Sequence, residues 1–375
     1  MLLGPLKIMF FLGTRAEAIK LAPIISAMRH RPETFKPVLI VSSTHSPLLQ
    51  QALRFLRLQP DFDLQALVMG DGGDLEALGN MMHNFNNVIN AAQPDMMVVI
   101  GDTTITLAGS LCAFYHRLPL AHVEAGLRTY DKAHPFPDEM QRQLTDVLAD
   151  LYFAPTQHAA HNLFQEHHQA EQVFVTGNPV VDSVRLNLRD DYRSPLLDSL
   201  PADHRLILLT MQRLENRGEP MERVFRTMRD IVETNPDVEL LCPLYPADGV
   251  MSLADQVFTG CARVHVVSPM NLGEYLNTAA RSYLLVTDSA GVVEEAPALH
   301  KPVLLLREKT ERPEAIIAGC AQVVGTDPTT IQQAAFDLLH NKRSYKKMAA
   351  APNPFGDGFA ADRIINLISH YFTKK

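Results

Sequence analysis

Several absences narrow this chain at once. No apolar run is long enough to span a bilayer: the N-terminal MLLGPLKIMFFLGTRAE is short, lacks a basic leader and a small-residue cleavage site, and runs straight into a strand and loop. Neither a signal peptide nor a membrane anchor is therefore expected. Paired cysteines are missing too. Cys112, Cys242, Cys261 and Cys320 are the only four; none has CxxC spacing and each sits in apolar context. They read as reduced core residues of a cytoplasmic protein rather than staples or zinc ligands. Nor is there an excess of positive charge. Lys and Arg number 34 against 42 Asp and Glu, a net charge of −8, which argues against a dedicated binder of nucleic acid or anionic membrane while leaving room for a local phosphate pocket. No short repeat or low-complexity segment occurs. What remains is 375 residues, 46% hydrophobic and 20% charged, an ordinary globular profile with core enough for two domains.

Short, continuously apolar runs alternate with helical patterns along the chain. Strands are expected at 6–12, 37–41, 96–100, 118–123, 151–154 and 172–176, with helices at 16–29, 45–57, 75–92, from the GDTT turn to about 116, and at 141–149 and 157–165. From about 189 to 204 the pattern dissolves into Asp, Arg, Ser and Pro, the best linker candidate. A second series follows, with strands at 205–209, 238–241, 264–267, 283–287, 302–306 and 322–324, and closing helices at 329–339 and 359–371. Strands apolar on both faces between helices predict parallel sheets covered on both sides. The expected fold is α/β, two Rossmann-like domains facing a central cleft: an N-terminal domain at 1–188, a linker at 189–204 and a C-terminal domain at 205–375. The last helix is a candidate for packing back on the first domain. Ligand is expected at the C-terminal ends of both sets of strands.

The chemistry concentrates in 121–143, AHVEAGLRTYDKAHPFPDEMQRQ, which starts as a buried strand and ends as a helix. It carries Glu124, Asp131, Asp138 and Glu139 with Arg128 and Arg142; the alternative to a site is a solvated loop whose acids complement the helix dipole. Gly13-Thr14-Arg15 at a strand-to-helix turn, with Lys20 farther on, could bring backbone N–H groups and two cations to a phosphate. Asp288-Ser289-Ala290-Gly291 opens a helix in the same way and suits a diphosphate, and Glu295 could accept from ribose hydroxyls. Either Glu294 or Glu295 is a first-turn dipole complement. Arg312 either reaches a phosphate or pairs with a carboxylate. His158 with His161, and His167 with His168, lack accompanying acids or thiols and read as solvated surface.

In order and over nearly the whole chain, GTRAEAIKLAP (13–23), GDTTITLAGSLCAFY (101–115), HVEAGLRT (122–129), TGNPVVD (176–182), TDSAGVVEEAPALHKPVLLLREKTERPEA (287–315) and NPFGDGFAADRI (353–364) resemble the non-hydrolysing UDP-N-acetylglucosamine 2-epimerase family. The resemblance implies a glycosyltransferase-B architecture, a homodimer, a UDP-sugar between the domains, and no metal or redox cofactor. It implies interconversion of UDP-N-acetylglucosamine and UDP-N-acetylmannosamine through loss of the C2 proton and UDP, then re-addition through a 2-acetamidoglucal, as a precursor step for surface polysaccharide. By position it implies Asp102, Glu124 and Asp138 as sugar-site carboxylates, and Arg15, Lys20 and Arg312 as cations for the leaving group. Ser289, Ala290, Gly291 and Glu295 become diphosphate and ribose contacts, Tyr275 the aromatic beside uracil, and Arg128, Glu139, Arg142 and Arg213 further substrate contacts.

Four positions depart from the family pattern. Gln212, in Thr210-Met211-Gln212-Arg213-Leu214-Glu215-Asn216, stands where a His is usual and cannot titrate in its place. Asp138 stands for a Glu, one methylene shorter. Tyr245 stands for a His, and Thr44-His45-Ser46-Pro47 for a QHR-like run, so a regulatory second-nucleotide site is expected to be weakened or absent. These departures keep two alternatives: a hydrolysing 2-epimerase or one for a modified UDP-sugar, and a catalytically impaired UDP-sugar-binding protein.

Overall fold

The structure, a computed structural model, describes residues 4–42, 47–64, 73–246 and 249–374. It divides into two compact units, Met1–Leu186 with Phe355–Lys375, and Asn187–Pro354.

In the first unit the chain runs β1 (Leu6–Leu12), α1 (Arg15–Arg29), β2 (Phe35–Val41), α2 (Pro47–Phe55), β3 (Phe62–Asp63), α3 (Gly73–Ala92), β4 (Met96–Ile100), α4 (Thr104–Tyr115), β5 (Leu120–Val123), α5 (Asp138–Leu148), β6 (Leu151–Ala154), α6 (Gln157–Gln165), β7 (Val173–Val175) and α7 (Pro179–Asn187). Its seven strands lie in the order β3-β2-β1-β4-β5-β6-β7, and every pairing is parallel. β4 is buried at all five positions, because side chains point alternately to two faces and helices cover both. One face packs Phe10, Leu12, Val98 and Phe153 on Leu21, Ile24 and Ile25 of α1; the other packs Met9, Phe11, Met97 and Val99 with Phe85 and Ala108.

The second unit contains α8 (Pro195–Ser199), β8 (Arg205–Thr210), α9 (Glu219–Thr234), β9 (Val238–Pro243), α10 (Val250–Phe258), β10 (Val264–Val267), α11 (Leu272–Arg281), β11 (Leu284–Thr287), α12 (Ala290–Glu295), β12 (Val303–Leu305), α13 (Pro313–Ala318), β13 (Ala321–Val323), α14 (Pro328–His340) and α15 (Lys342–Ala349); α16 (Ala360–Thr373) returns to the first. The six strands, all parallel, lie in the order β10-β9-β8-β11-β12-β13.

Two boundaries differ from those read in the sequence. The 189–204 segment is part of the second unit rather than a free linker. Ser194 Oγ accepts from Leu197 N to start α8, Arg189 N donates to Asn277 Oδ1 at 3.0 Å, and Asp198 pairs with Arg281 at 2.8 Å. These ties hold the segment although most of its polar side chains are exposed. The second unit stops at Pro354, not at the C-terminus. Ile364, Ile365 and Ile368 of α16 are fully buried in the α1 core, and the Asp182 carboxylate accepts from the amides of Ala360 and Ala361 at 3.1 and 2.9 Å. A side-chain oxygen on two first-turn amides serves the helix start as an N-cap does.

Each strand order reverses once, between β1 and β4 and between β8 and β11. Open α/β sheets bind ligands outside the carboxyl ends of strands at such a reversal. The chain places Gly13-Thr14-Arg15 and Gly101-Asp102 there in the first unit, and Met211-Gln212-Arg213 and Asp288-Ser289 there in the second.

Candidate active site

At the first reversal, buried Lys20 on α1 meets buried Glu124 just past β5, Nζ to Oε1 at 2.5 Å. The same oxygen accepts from Asn178 Nδ2 at 2.7 Å. Glu124 has a φ of +66°, left-handed backbone that a side-chain-bearing residue adopts at a cost of about 1 kcal/mol or more and that clusters at functional sites. The built Cβ position on neighbouring Gly101 lies 3.7 Å from Glu124 Oε2, so the two strand ends converge. Asp102, half-buried, pairs with Arg142 Nη2 of α5 at 2.8 Å. Arg142 Nη1 is buried and has no hydrogen-bond partner among the described residues. Orphaned buried donors are rare enough to call for an explanation, and an absent ligand is one. Asp138 opens α5 half-buried, one turn before Arg142.

The Gly-Thr turn behaves otherwise than expected. Its amides are occupied: Gly13 N and Thr14 N donate to Glu17 Oε2 at 2.7 and 2.8 Å, closing a capping box, while Thr103 Oγ1 donates to Glu17 Oε1 at 2.6 Å. Burial pushes the Glu17 carboxyl up, and these bonds oppose it. The turn therefore joins the α1 start to the residue after Asp102, with the Gly13 and Thr14 amides taken up inside the protein. Arg15 begins α1 half-buried.

Arg128 and Glu139 sit inside the framework. All three guanidinium nitrogens of Arg128 are engaged: Nε and Nη2 with Glu166 at 2.7 Å each, Nη2 also with Asp146 at 2.7 Å, and Nη1 with Leu127 O at 2.8 Å. Glu139, fully buried, accepts from Thr129 N, Tyr130 N and Gln143 Nε2 at 2.9, 3.0 and 2.7 Å. The family resemblance counted both as substrate contacts. Apart from Leu127 and Gln143, their partners lie 9 to 38 residues away, beyond what a local pattern reveals. Asp131 is exposed, as its reading as a solvated loop residue has it.

At the second reversal the organiser is Asp288, fully buried after β11. Its carboxylate accepts from Gln212 N, Arg213 N and Asn216 Nδ2 at 3.0 to 3.1 Å, and its carbonyl accepts from Arg213 Nε at 3.1 Å. Gln212 thus has its backbone fixed while its side chain is exposed. Ser289 begins α12 without a side-chain cap bond, with Ala290 and Gly291 half-buried behind it. Arg312 pairs with Glu294 and Glu311 at 2.8 Å each, Arg307 with Glu311 at 2.7 Å, and Arg213 approaches Glu311 at 3.9 Å. Burial pushes the Glu311 carboxyl up, yet the Arg312 and Arg307 guanidiniums outweigh it and hold it at about 2. Glu295 is buried on α12 and Tyr275 half-buried on α11.

The structure brings Lys20, Asp102, Glu124 and Arg142 together at one reversal, and Gln212, Arg213 and Ser289 at the other. It adds Glu17, His122, Asp146, Asn178 and Glu311, which sequence reading left without roles, and gives Asp288 and Glu294 definite partners. The four-residue spacing Asp138, Arg142, Asp146 was the available signal, since it puts the three on one face of α5. Of the regulatory positions, Thr44, His45 and Ser46 lie outside the described residues, and Tyr245 is half-buried after β9. Among the described residues no group of His, Cys, Asp and Glu could hold a metal ion, and no helix is long and apolar enough to cross a membrane.

A family model described as UDP-N-acetylglucosamine 2-epimerase matches residues 27–369. A Bacillus subtilis (strain 168) protein named UDP-N-acetylglucosamine 2-epimerase is 44% identical over 372 residues, 99% of this chain and 97% of its own length. An S. aureus MnaA–UDP co-structure superposes with a TM-score of 0.92 at 40% identity, over 98% of this chain and 97% of that one. The UDP-GlcNAc 2-epimerase from Neisseria meningitidis bound to UDP-GlcNAc gives 0.90 at 32% identity, over 97% and 99%. The two parallel-sheet α/β units are those of the glycosyltransferase-B-like fold these relatives share. With model, relatives and fold agreeing across nearly the full length, the chain belongs to the UDP-N-acetylglucosamine 2-epimerase family.

Proposed function

We propose that the protein interconverts UDP-N-acetylglucosamine and UDP-N-acetylmannosamine by eliminating and re-adding UDP without releasing free sugar, supplying an activated aminosugar for surface polysaccharide. The observation that carries this is the pair of cation-held carboxylates at the first reversal, Glu124 on Lys20 and Asp102 on Arg142. The C2 hydrogen of the sugar is weakly acidic, so its removal is helped when the C1–O bond to UDP breaks as a C1=C2 bond forms. Reversal at C2 requires a proton to leave one face and another to arrive on the other, hence at least two carboxyl groups. Asp102 and Glu124 are assigned these roles, with Asp138 beside them. Arg15, Lys20 and Arg142 face the growing negative charge of UDP or the sugar. Arg128 and Glu139 are assigned to the framework.

In the second unit Ser289, Ala290, Gly291, Arg213 and Arg312 are assigned to the diphosphate, Glu295 to ribose hydroxyls and Tyr275 to uracil. The ligands of the S. aureus and N. meningitidis structures, UDP and UDP-GlcNAc, support this class of substrate. Gln212, exposed and non-titrating, is assigned a hydrogen bond to the ligand rather than a proton transfer.

The test is incubation with UDP-N-acetylglucosamine in deuterated water, followed by NMR. Deuterium at C2 of a UDP-linked product is expected. Free N-acetylmannosamine with UDP would make the enzyme hydrolysing, and binding without exchange would leave only a UDP-sugar binder.

We also propose a cytoplasmic homodimer. Among the described residues all four cysteines are unpaired, in keeping with a reducing compartment. α5 is inside-out: Glu139, Gln141, Arg142, Thr145 and Asp146 are buried while Met140, Leu144 and Val147 are exposed. With exposed Phe114, Tyr115 and Phe136 they make an apolar surface suited to a second copy.

A further inference from the structure

We propose that His122 is a positioning residue for the reaction, its ring clamping the Gly101 carbonyl to Asp146 and so fixing where Asp102 and Glu124 stand. The inference rests on the assignment of those carboxylates above. His122 lies on β5, opposite Val99 of β4, two residues before Glu124. Its ring is fully buried; Nδ1 meets Asp146 Oδ1 at 2.6 Å and Nε2 meets Gly101 O at 2.8 Å. A core histidine that only fills space needs one donor and one acceptor. Here both partners are acceptors, so both ring nitrogens donate.

The clamp reaches every element that carries one of the sugar-site carboxylates Asp102, Glu124 and Asp138. Gly101, next to Asp102, is left-handed at φ +72°, which aims its carbonyl at the ring. Asp146 accepts from Gly126 N at 3.1 Å and from Arg128 Nη2 at 2.7 Å, tying down the segment that turns at Glu124. It also sits one turn beyond Arg142 on α5, the helix that opens with Asp138. Burial pushes the Asp146 carboxyl up, yet His122 and Arg128 outweigh it and keep it below its ordinary value. The ring is two residues from Glu124 along the strand and touches protein atoms on both sides, so its influence on the sugar passes through the carboxylates it holds.

Two substitutions divide the clamp. In His122→Asn the amide nitrogen falls near the Nδ1 position and keeps Asp146 while losing Gly101; in His122→Gln it falls near Nε2 and keeps Gly101. Since misplacement by about 1 Å can cost on the order of 100-fold, the Asn variant is expected to lose about 10- to 100-fold in kcat and in C2 exchange, with KM within about threefold of the parent. The Gln variant, which keeps Gly101 and loses Asp146, opens the clamp at its other end and is expected to lose kcat in the same range, with KM again within about threefold. Parent-like kcat in either variant, or a loss falling on KM alone, would overturn the proposal. Should either variant not fold, ¹⁵N-edited spectra of the unmodified protein decide it: one histidine ring carrying slowly exchanging protons on both nitrogens is expected, and no such ring refutes the clamp. If the unmodified protein turns over no UDP-N-acetylhexosamine, the functional assignment fails instead, and the ring spectrum still reports on the clamp.

Discussion

Glu124 illustrates how much depends on a single oxygen. Lys20 and Asn178 both engage Oε1, holding the group oriented inside protein rather than in water. Glu124→Gln preserves shape and removes the proton acceptor, so kcat should fall by about 100- to 10,000-fold, read as C2 exchange in deuterated water; retention of activity would move the base elsewhere. In the second unit Glu311 gives a pH test. Its folded value of about 2 lies below its ordinary 4.5, so it adds stability that is complete above the higher value and lost as pH falls toward the lower. The loss should be roughly 3 kcal/mol, seen in urea melts between those limits, and Glu311→Gln should flatten it. At this scale the sequence was half legible. HVEAGLR displays its acids and bases plainly, but whether one faces ligand or framework depends on partners such as Asp146 and Glu166, and only folding brings those near.

Elements were easier to read where burial is two-sided. β4 coincides with its apolar run because a strand covered on both faces favours apolar side chains throughout, and β1 does so apart from half-buried Lys7 near its start. β3 has two residues and α15 buries none, so neither leaves a periodic trace. α8 was hidden in a polar stretch that reads as linker. α5 inverts the usual rule: its polar face looks inward because that is where the carboxylates are held, and its apolar face looks out. Leu144→Lys with Val147→Lys should therefore yield a monomer by light scattering with little change in thermal midpoint, since both side chains are exposed at 44% and 72%. An unchanged mass would refute the dimer reading.

For the whole molecule, the decisive feature is that the first unit is discontinuous and the second is a single stretch. Removing 355–375 should strip α16 from Leu21, Ile24 and Ile25 and unfold the first unit while the second keeps its own transition in a thermal scan. One merged transition lost entirely would show that the units do not fold separately. The same layout sets an order of events during synthesis. Everything from Asn187 to Pro354 leaves the ribosome before the last helix does, and at about 5–20 residues per second roughly ten seconds or more pass in that interval. Until α16 emerges, the first unit's core lacks Ile364, Ile365 and Ile368, so the half of the protein that is made first is the half that finishes last.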